Sequence, residues 1–251
     1  MEMENRYIEI FTGLRRDYGY ADINSAFKDP STGKLKLKYG WAAKELLDSD
    51  YIAHLEGKKS IGVQPCNDDG LSNFGAIDID SDEYDNFDLR KYLEIIDKKN
   101  IPVVPVKSKS GGLHIYVFFK EPVKASYVRN FLDKLLFTFG LKASTEIFPK
   151  QTQLGTGSDG KFINGNFINL PYYNRNERVG LNLDGTEFTF EQFIKVVEAN
   201  RKTREELEEF ATELMRLELT GGADEFADGP VCLQRLSKSK LDDYRDRFIY
   251  N

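Results

Sequence analysis

Two aspartates spaced two residues apart, Asp78 and Asp80, close the apolar run that begins at Phe74. On a β-strand this spacing places both side chains on one face, because successive residues alternate between faces. Carboxylates held this close repel each other unless a cation or a shared proton lies between them. The pair therefore predicts a cation site, although an Asp-x-Asp motif alone more often does no more than solvate the end of a strand.

A third acid, Glu146, extends the pair if its strand lies beside theirs. Mg²⁺ and similar hard ions take carboxylate oxygens together with substrate phosphates. Two such ions about 4 Å apart can activate an attacking oxygen and stabilise a leaving one in phosphoryl or nucleotidyl transfer. Three carboxylates on adjacent strands suit that arrangement.

A basic turn at residues 107–114 is rich in glycine and hydroxyl groups. Backbone N–H groups freed by Gly111 and Gly112 can meet phosphate oxygens, as in anion-binding nests, and the side chains add positive charge and donors. A triphosphate beside a metal site would use these groups, whereas the alternative is a flexible hairpin with solvated lysines and a satisfied histidine. The candidate nucleotide-binding residues of the turn are Lys107, Lys109, Ser110 and His114.

Two polar residues further along the chain add weaker signals. Lys150 can reach a phosphate group, and Asn169, in a short strand predicted at 167–170, can bond a sugar or a base. Neither residue is specific alone, because polar side chains near turns usually cap backbone groups.

The elements that must position these residues follow a recognisable order, β-α-β-β-α-β, which is the split-βαβ pattern of ferredoxin-like and RNA-recognition-motif (RRM) folds. The order is inferred from apolar periodicity and turn residues. The predicted elements are a strand at 74–80, a helix at 87–99, strands at 101–106 and 113–119, a helix at 126–139 and a strand at 142–148.

This topology places the first strand at the centre, between the third and fourth strands. We therefore expect the two aspartates to share an open sheet face with Glu146 and with alternate residues of the third strand. Those third-strand residues are His114, Tyr116 and Phe118. The residues of the opposite face, which should pack on the two helices, are Ile77, Ile79, Ile115 and Val117.

The flanks complete an α+β fold with an N-terminal α/β extension and C-terminal helices. We expect residues 5–40 to be irregular, followed by short helices at 41–47 and 50–55 and a strand at 60–64. Thr189 and Thr203 each begin a capping-box pattern that predicts a helix. The predicted domains are a catalytic domain at 1–200, with its RRM-like core at about 74–171, and a helical segment at 201–251 whose apolar finish predicts a fragment of a longer protein.

Composition excludes several classes of protein. Of the 251 residues, 40% are hydrophobic and 30% are charged, which is typical of a globular chain. No apolar run reaches the roughly eighteen residues of a membrane span, and the acidic start, Met1–Asn5, lacks the apolar region of a secretory signal. We therefore expect a cytoplasmic protein with no membrane partner. Two cysteines and two histidines without zinc-ligand spacing predict that no zinc is bound.

Charge is unevenly distributed along the chain. Residues 101–180 contain eleven Lys or Arg against five Asp or Glu, a net charge of +6, so the remainder of this −6 protein carries −12. A basic middle in an acidic protein indicates a local site for a polyanion, although charge alone predicts chance fluctuation equally well.

Five motifs in order make the chain resemble the archaeo-eukaryotic primase superfamily, most closely the primases of phages, plasmids and TOTE conflict systems. Three are the Asp-x-Asp strand end at 77–80, a Ser-x-His type motif at 110–114 and an acid-bearing strand at 145–147. The others are the stretch from His54 to Val63 and the pair of stretches Glu146–Gln151 and Gly165–Pro171. The resemblance covers about residues 11–173.

The resemblance implies a metal-dependent primase or primase–polymerase, a nucleotidyltransferase of DNA replication. Asp78, Asp80 and Glu146 would hold two Mg²⁺ or Mn²⁺ ions, and Ser110 and His114 would bind the triphosphate of an incoming NTP or dNTP. A 3′-hydroxyl would attack the α-phosphate and release pyrophosphate. A single-stranded DNA template would lie along the basic segment.

Two features depart from the family pattern or extend it. Many members carry a zinc-binding knuckle, which this chain cannot build, so zinc-assisted initiation is not expected. The stretch Asp228–Leu233 resembles the entry to the C-terminal region of phage primases, which often leads into a helicase. A fused or separate helicase is therefore an expected partner, and a phage-encoded chain would act in the host cytoplasm.

Two other functions remain open at the level of sequence. A non-catalytic RRM-like module would stack bases on Tyr116 and Phe118, but acids on the same face would repel phosphates unless metal ions neutralised them. A repair polymerase that fills gaps without priming would share the active site, so only de novo synthesis separates it from a primase.

Overall fold

The computed structural model describes residues 2–28, 30, 35–109, 111–158, 160, 162–163 and 165–221. The stretch Asp228–Leu233 and the apolar finish lie outside the described residues. Within them, the helices are α1 (Glu2–Ile10), α2 (Asp48–Leu55), α3 (Leu89–Lys98), α4 (Ala125–Thr138), α5 (Phe190–Asn200) and α6 (Arg204–Gly221). The strands are β1 (Tyr18–Lys28), β2 (Leu35–Ala42), β3 (Ser60–Val63), β4 (Leu71–Ile79), β5 (Val104–Lys107), β6 (Leu113–Lys124), β7 (Glu146–Phe148) and β8 (Ile168–Asn169).

The sheet that carries the predicted site has the order β5-β6-β4-β7, with every pair antiparallel. With α3 between β4 and β5 and α4 between β6 and β7, the chain forms the predicted β-α-β-β-α-β core. The α+β, ferredoxin-like fold class is therefore confirmed, and β4 lies at the centre, between β6 and β7, as the strand order predicts.

One face of this sheet packs on helices, as predicted. Ile77 and Ile115 are fully buried in a core that they share with Leu93 of α3 and Leu132 of α4. Both helices turn apolar residues toward the sheet at intervals of three and four, which is the spacing of one helical face. Residues of α6, among them Leu207, complete this core.

The other face is covered along most of its length, so the expectation of an open sheet face is wrong. Phe11 packs edge-on against Phe74, Tyr116 and Phe118, with ring centroids 5.3, 5.8 and 5.6 Å apart. Tyr116 is 0% and Phe118 2% exposed. These large apolar rings gain more from packing against α1, α5 and the second sheet than from facing water.

The second sheet has the order β2-β1-β3-β8. The expectation of an irregular segment at 5–40 is wrong, because regular elements occupy most of it. They are α1 and the strands β1 and β2, which form a long antiparallel hairpin from Tyr18↔Ala42 to Lys28↔Leu35. The helix expected at 41–47 is also wrong, since β2 continues through Ala42. The N-terminal α/β extension itself is confirmed.

The helices after the core begin where the capping patterns predict. The Thr189 hydroxyl accepts a hydrogen bond from the Gln192 N–H, and the Gln192 side chain accepts one from the Thr189 N–H. Thr203 and Glu206 repeat the arrangement at the start of α6. Both boxes satisfy backbone donors that an isolated helix leaves unpaired.

Candidate active site

Strand register brings three predicted site residues abreast at one end of the central sheet. Asp78 on β4 is the register partner of His114 on β6 and of Glu146 on β7. Directly paired residues of antiparallel strands project from the same face. The side chains of these three residues, which lie far apart in sequence, therefore converge on one patch.

Asp78 is in close electrostatic contact with His114. Nε2 of His114 lies 3.1 Å from Oδ1 of Asp78, in an orientation that falls short of a formal hydrogen bond, and Nδ1 of His114 is buried with no partner among the described residues. Burial acts to raise the pKa of Asp78, but the charge and contact of His114, aided by Lys150, outweigh it and hold that pKa below its ordinary value. Asp78 is therefore the more readily ionised acid of the Asp-x-Asp pair.

Asp80 immediately follows β4 and begins a short 3₁₀ turn, Ser81–Glu83. Burial, followed by the negative charges of Asp78 and Glu83, raises the pKa of Asp80 above its ordinary value. The two aspartates thus differ in the ease with which they ionise, as expected for neighbouring carboxylates, since the charge of one disfavours ionisation of the other.

The acids offer oxygen donors that suit a hard divalent cation. Oδ1 of Asp78 is buried and accepts no hydrogen bond from the described residues, and the charges of Asp78 and Glu83 add to burial in raising the pKa of Asp80. Glu146 forms an ion pair with Lys150, and across the described residues no group of three or more acids, histidines or cysteines is already arranged around a metal position. The donor set therefore fits Mg²⁺ or Mn²⁺, provided that Glu146 exchanges its lysine for the ion.

A cavity of about 670 Å³ opens over these residues. Acids, cations and aromatic rings all contribute to its lining. Its lining residues include Asp78, Asp80, Glu146, His114, Ser108, Lys109, Lys150, Asn169, Arg178, Tyr39, Trp41 and Phe167.

The chain is similar to a known protein family over most of its length. Residues 18–209 match the family model described as TOTE conflict system, Archaeo-Eukaryotic Primase domain. The chain belongs to this family. The match confirms the predicted resemblance, and it supports a nucleotidyltransferase of the primase–polymerase type, a family that generally uses divalent metals and acts on nucleotides and nucleic acid.

The solved structures similar to this TOTE-type primase domain include the AEP domain of the cyanophage S-2L primase-polymerase (PrimPol). The two chains are 13% identical with a TM-score of 0.38, and the similarity covers 78% of this chain and 97% of the other. No curated protein sequence matches the chain.

The basic turn of the primase domain divides its residues between two faces. Lys109 lines the cavity, 3.6 Å from Glu177, whereas Lys107 lies outside it and pairs with Glu187 at 3.2 Å. Strand alternation turns Lys107 away from the cavity, because its neighbour Val106 is the register partner of His114. Lys109 lies beyond the end of β5, where the alternation no longer applies. Ser110 lies outside the described residues, and Ser108, which sequence reasoning missed, lines the cavity instead.

Asn169 of β8 and Arg178, which lies in the segment that follows β8, both line the cavity. Oδ1 of Asn169 is buried without a hydrogen bond among the described residues. Arg178 donates to the Leu170 carbonyl at 2.8 Å, and burial lowers the pKa of its guanidinium. Sequence reasoning counted Arg178 only as one charge of the basic segment, because no motif surrounds it.

Hydrogen bonds join the two motif stretches that follow the third acid. The Gln151 side chain donates to Oδ1 of Asn166 and accepts from the Asn166 N–H, both at 2.8 Å. Gln64 at the end of β3 donates to the same Gln151 oxygen at 3.0 Å. This network fixes the segment that carries Phe167 and Asn169 against the segment that carries Lys150.

Burial removes one of the alternative functions. Tyr116 and Phe118, the rings that an RRM-like module would stack on bases, lie in the core. A base cannot reach them without displacing Phe11, which packs against both rings. In the described part of the primase domain, no helix combines the length and apolarity that a bilayer span requires.

Proposed function

We propose that this chain is a DNA-templated nucleotidyltransferase, a primase–polymerase that makes or extends primers during replication. The observation that carries the proposal is the register that aligns Asp78 with His114 and Glu146 under one cavity. A cavity lined by both acids and cations suits a nucleoside triphosphate that binds with metal ions.

Asp78, Asp80 and Glu146 are the proposed metal ligands, for two Mg²⁺ or Mn²⁺ ions. When bound, such ions would make the attacking oxygen more nucleophilic and offset the negative charge that develops on the transferred phosphate. His114 keeps Asp78 ionised, which prepares that carboxylate for a cation. Lys150, which neutralises Glu146 in the structure, would exchange this partner for a phosphate oxygen.

The triphosphate would bind to His114 and Lys109, which line the cavity, with Ser110 as a further proposed ligand. Lys107, which lies outside the cavity, drops out of the predicted set. Asn169, whose side-chain oxygen has no partner, would bond the sugar or base. The 3′-hydroxyl of the growing strand, or of the first nucleotide, attacks the α-phosphorus. A new P–O bond forms as the hydroxyl proton passes to solvent, the bond from the α-phosphorus to the oxygen that bridges to the β-phosphate breaks, and pyrophosphate leaves.

A single-stranded DNA template is the proposed second substrate. The basic segment 101–180 would neutralise its phosphates and release their counterions, so binding should weaken steeply with salt. A helicase, fused or separate, would supply unwound template. The proposed setting is the cytoplasm, that of the host if a phage or other mobile element encodes the protein.

A gap-filling repair polymerase that does not prime would use the same residues. One assay separates the two functions and tests the proposal. Single-stranded DNA is incubated with labelled NTPs or dNTPs and Mg²⁺ or Mn²⁺, with and without an annealed primer. Products in both arms support a primase–polymerase. Products only with the primer support the repair polymerase, and no product in either arm contradicts nucleotidyl transfer.

A further inference from the structure

Three aromatic rings, Tyr39, Trp41 and Phe167, line the same cavity as the catalytic acids. We call them the aromatic wall. The Trp41 and Phe167 rings meet edge to face, with centroids 5.1 Å apart and an interplanar angle of 87°. Neither metal binding nor phosphate binding uses a ring, so the proposed chemistry leaves the wall unexplained.

The second sheet builds this wall from strand alternation and small residues. Tyr39 and Trp41 are two residues apart on β2 and so share a face. Their register partners on β1 are Ala21 and Gly19, which leave space above the sheet.

Phe167 occupies part of that space. A β-carbon on Gly19 would lie 2.1 Å from the Phe167 ring, and one on Gly62 of β3 would lie 2.3 Å from it. No real side chain tolerates such distances, so the two glycines form a floor on which the ring rests. The floor fixes Phe167 beside Trp41, and the wall is therefore preorganised.

Exposure distinguishes Tyr39 from an ordinary core ring. Its exposed fraction is 58%, whereas Tyr7, Tyr18 and Tyr51 are fully buried. A large aromatic side chain held at the mouth of a polar cavity indicates a ligand with an apolar, planar part.

We propose that the aromatic wall stacks the base of the nucleotide whose phosphates bind beside His114 and Lys109. The inference rests on the proposed function in taking this cavity as the nucleotide site. Every base presents a π-face, so a wall of rings accepts all bases, as a template-directed enzyme requires. The acids and cations elsewhere in the cavity would bind the phosphates of the same nucleotide and the metal ions that accompany them.

The chain contains one tryptophan, Trp41, so its fluorescence reports on the wall alone. The full chain is titrated with ATP, and separately with inorganic tripolyphosphate, which has the phosphates without the base, each with and without Mg²⁺. Excitation at the red edge of tryptophan absorption avoids absorption by the nucleotide. We expect ATP to quench Trp41 and tripolyphosphate to leave it unchanged. Equal responses, or none to ATP, would overturn the proposal.

A single-stranded oligonucleotide without ATP forms a further arm of the titration. If only the oligonucleotide quenches Trp41, the wall binds the template strand, and the proposal that it binds the base of the nucleotide is wrong. If ATP quenches with the oligonucleotide absent, the proposal stands.

Tyr39→Leu tests the wall by removing one ring while keeping an apolar side chain. We expect about tenfold weaker ATP binding by calorimetry, in line with the worth of one stacked base, and unchanged tripolyphosphate binding. The matched control is Tyr20→Leu, because Tyr20 lies over Gly40 on the opposite face of the same hairpin. Unchanged ATP affinity in a folded Tyr39→Leu protein, or an equal loss in Tyr20→Leu, would overturn the proposal.

The results also separate this proposal from the proposed function. Base-dependent quenching in a protein that incorporates no nucleotide would keep the wall and reject nucleotidyl transfer. Incorporation with equal responses to ATP and tripolyphosphate would do the reverse.

Discussion

Nε2 of His114 lies 3.1 Å from Oδ1 of Asp78, across the pair of strands at the centre of the sheet. The contact joins the two halves of the proposed site, because Asp78 belongs to the acids and His114 follows the basic turn. It also lowers the pKa of Asp78 against the effect of burial. The histidine is therefore in a position to influence both metal and phosphate binding.

His114→Ala should weaken nucleotide binding more than template binding. A hydrogen bond to a charged group contributes about 1.5–3 kcal/mol, so we expect roughly 10- to 100-fold weaker NTP or dNTP binding. Binding of single-stranded DNA to the same protein, measured by fluorescence anisotropy, should change little. An equal loss of both affinities would indicate a purely structural histidine.

The two lysines of the basic turn should behave differently on substitution. Lys109→Ala removes a cation from the cavity and should raise the KM for nucleotide about tenfold, a loss typical of a charge-assisted contact. Lys107→Ala, whose lysine pairs with Glu187 outside the cavity, is the matched control and should leave KM within about twofold. Equal effects in steady-state kinetics would refute the division of the turn between two faces.

Metal binding should be visible as thermal stabilisation. Mn²⁺ binds only the folded site in this account, so it should raise Tm, and the rise should continue with the logarithm of the Mn²⁺ concentration above the Kd. Asp80→Asn should abolish that shift. Without metal it should stabilise the fold slightly, by about 0.2–1 kcal/mol, because it relieves repulsion from Asp78. Asp82→Asn, which removes an acid outside the cavity, should retain the shift, and its loss there would point to non-specific binding.

His54 should make the fold sensitive to acid. The ring is 0% exposed, Nδ1 accepts from the Ile61 N–H at 3.2 Å, and Nε2 donates to the Pro171 carbonyl at 3.0 Å. Burial lowers its pKa to about 3, against about 6.5 when unfolded. Between these values the unfolded chain binds the extra proton, so this stability is present above pH ~6.5 and lost as pH falls toward 3.

The size of the effect follows from linkage, at about 1.4 kcal/mol per pH unit below the unfolded pKa. His54→Gln removes this titration. The stability advantage of the wild type over His54→Gln should therefore shrink as pH falls from 7 to about 4 in urea denaturation curves. A constant difference would mean that the ring is protonated in the native state.

The core sheet was predictable because the residues that end its strands and helices can be recognised from the local sequence. The prolines and glycines between elements separate the strands and helices, and the β-α-β-β-α-β order leaves few topologies. Once β4 lies between β6 and β7, the alternation of strand residues decides that Asp78, His114 and Glu146 share a face.

Coverage of that face was not predictable in the same way. It depends on contacts such as Phe11 with Tyr116, which join residues more than a hundred positions apart. Residues 35–39, Leu-Lys-Leu-Lys-Tyr, do alternate apolar and polar side chains, which is a strand signal. Residues that favour helices follow Trp41 and led to the wrong prediction of a helix at 41–47. For this reason neither β2 nor the aromatic wall was predicted. Arg178 had no local signal, because long-range packing alone brings it to the cavity.

Nucleotide incorporation by Asp78→Asn tests the central claim most directly. The substitution keeps shape and removes the charge that the register places between His114 and Glu146. On single-stranded DNA with labelled nucleotides and Mg²⁺ or Mn²⁺, we expect a loss of about a thousandfold or more, because metal ligation contributes several kcal/mol to transition-state stabilisation. Asp82→Asn should retain activity within about twofold. Incorporation at the wild-type rate by a folded Asp78→Asn protein would contradict the account.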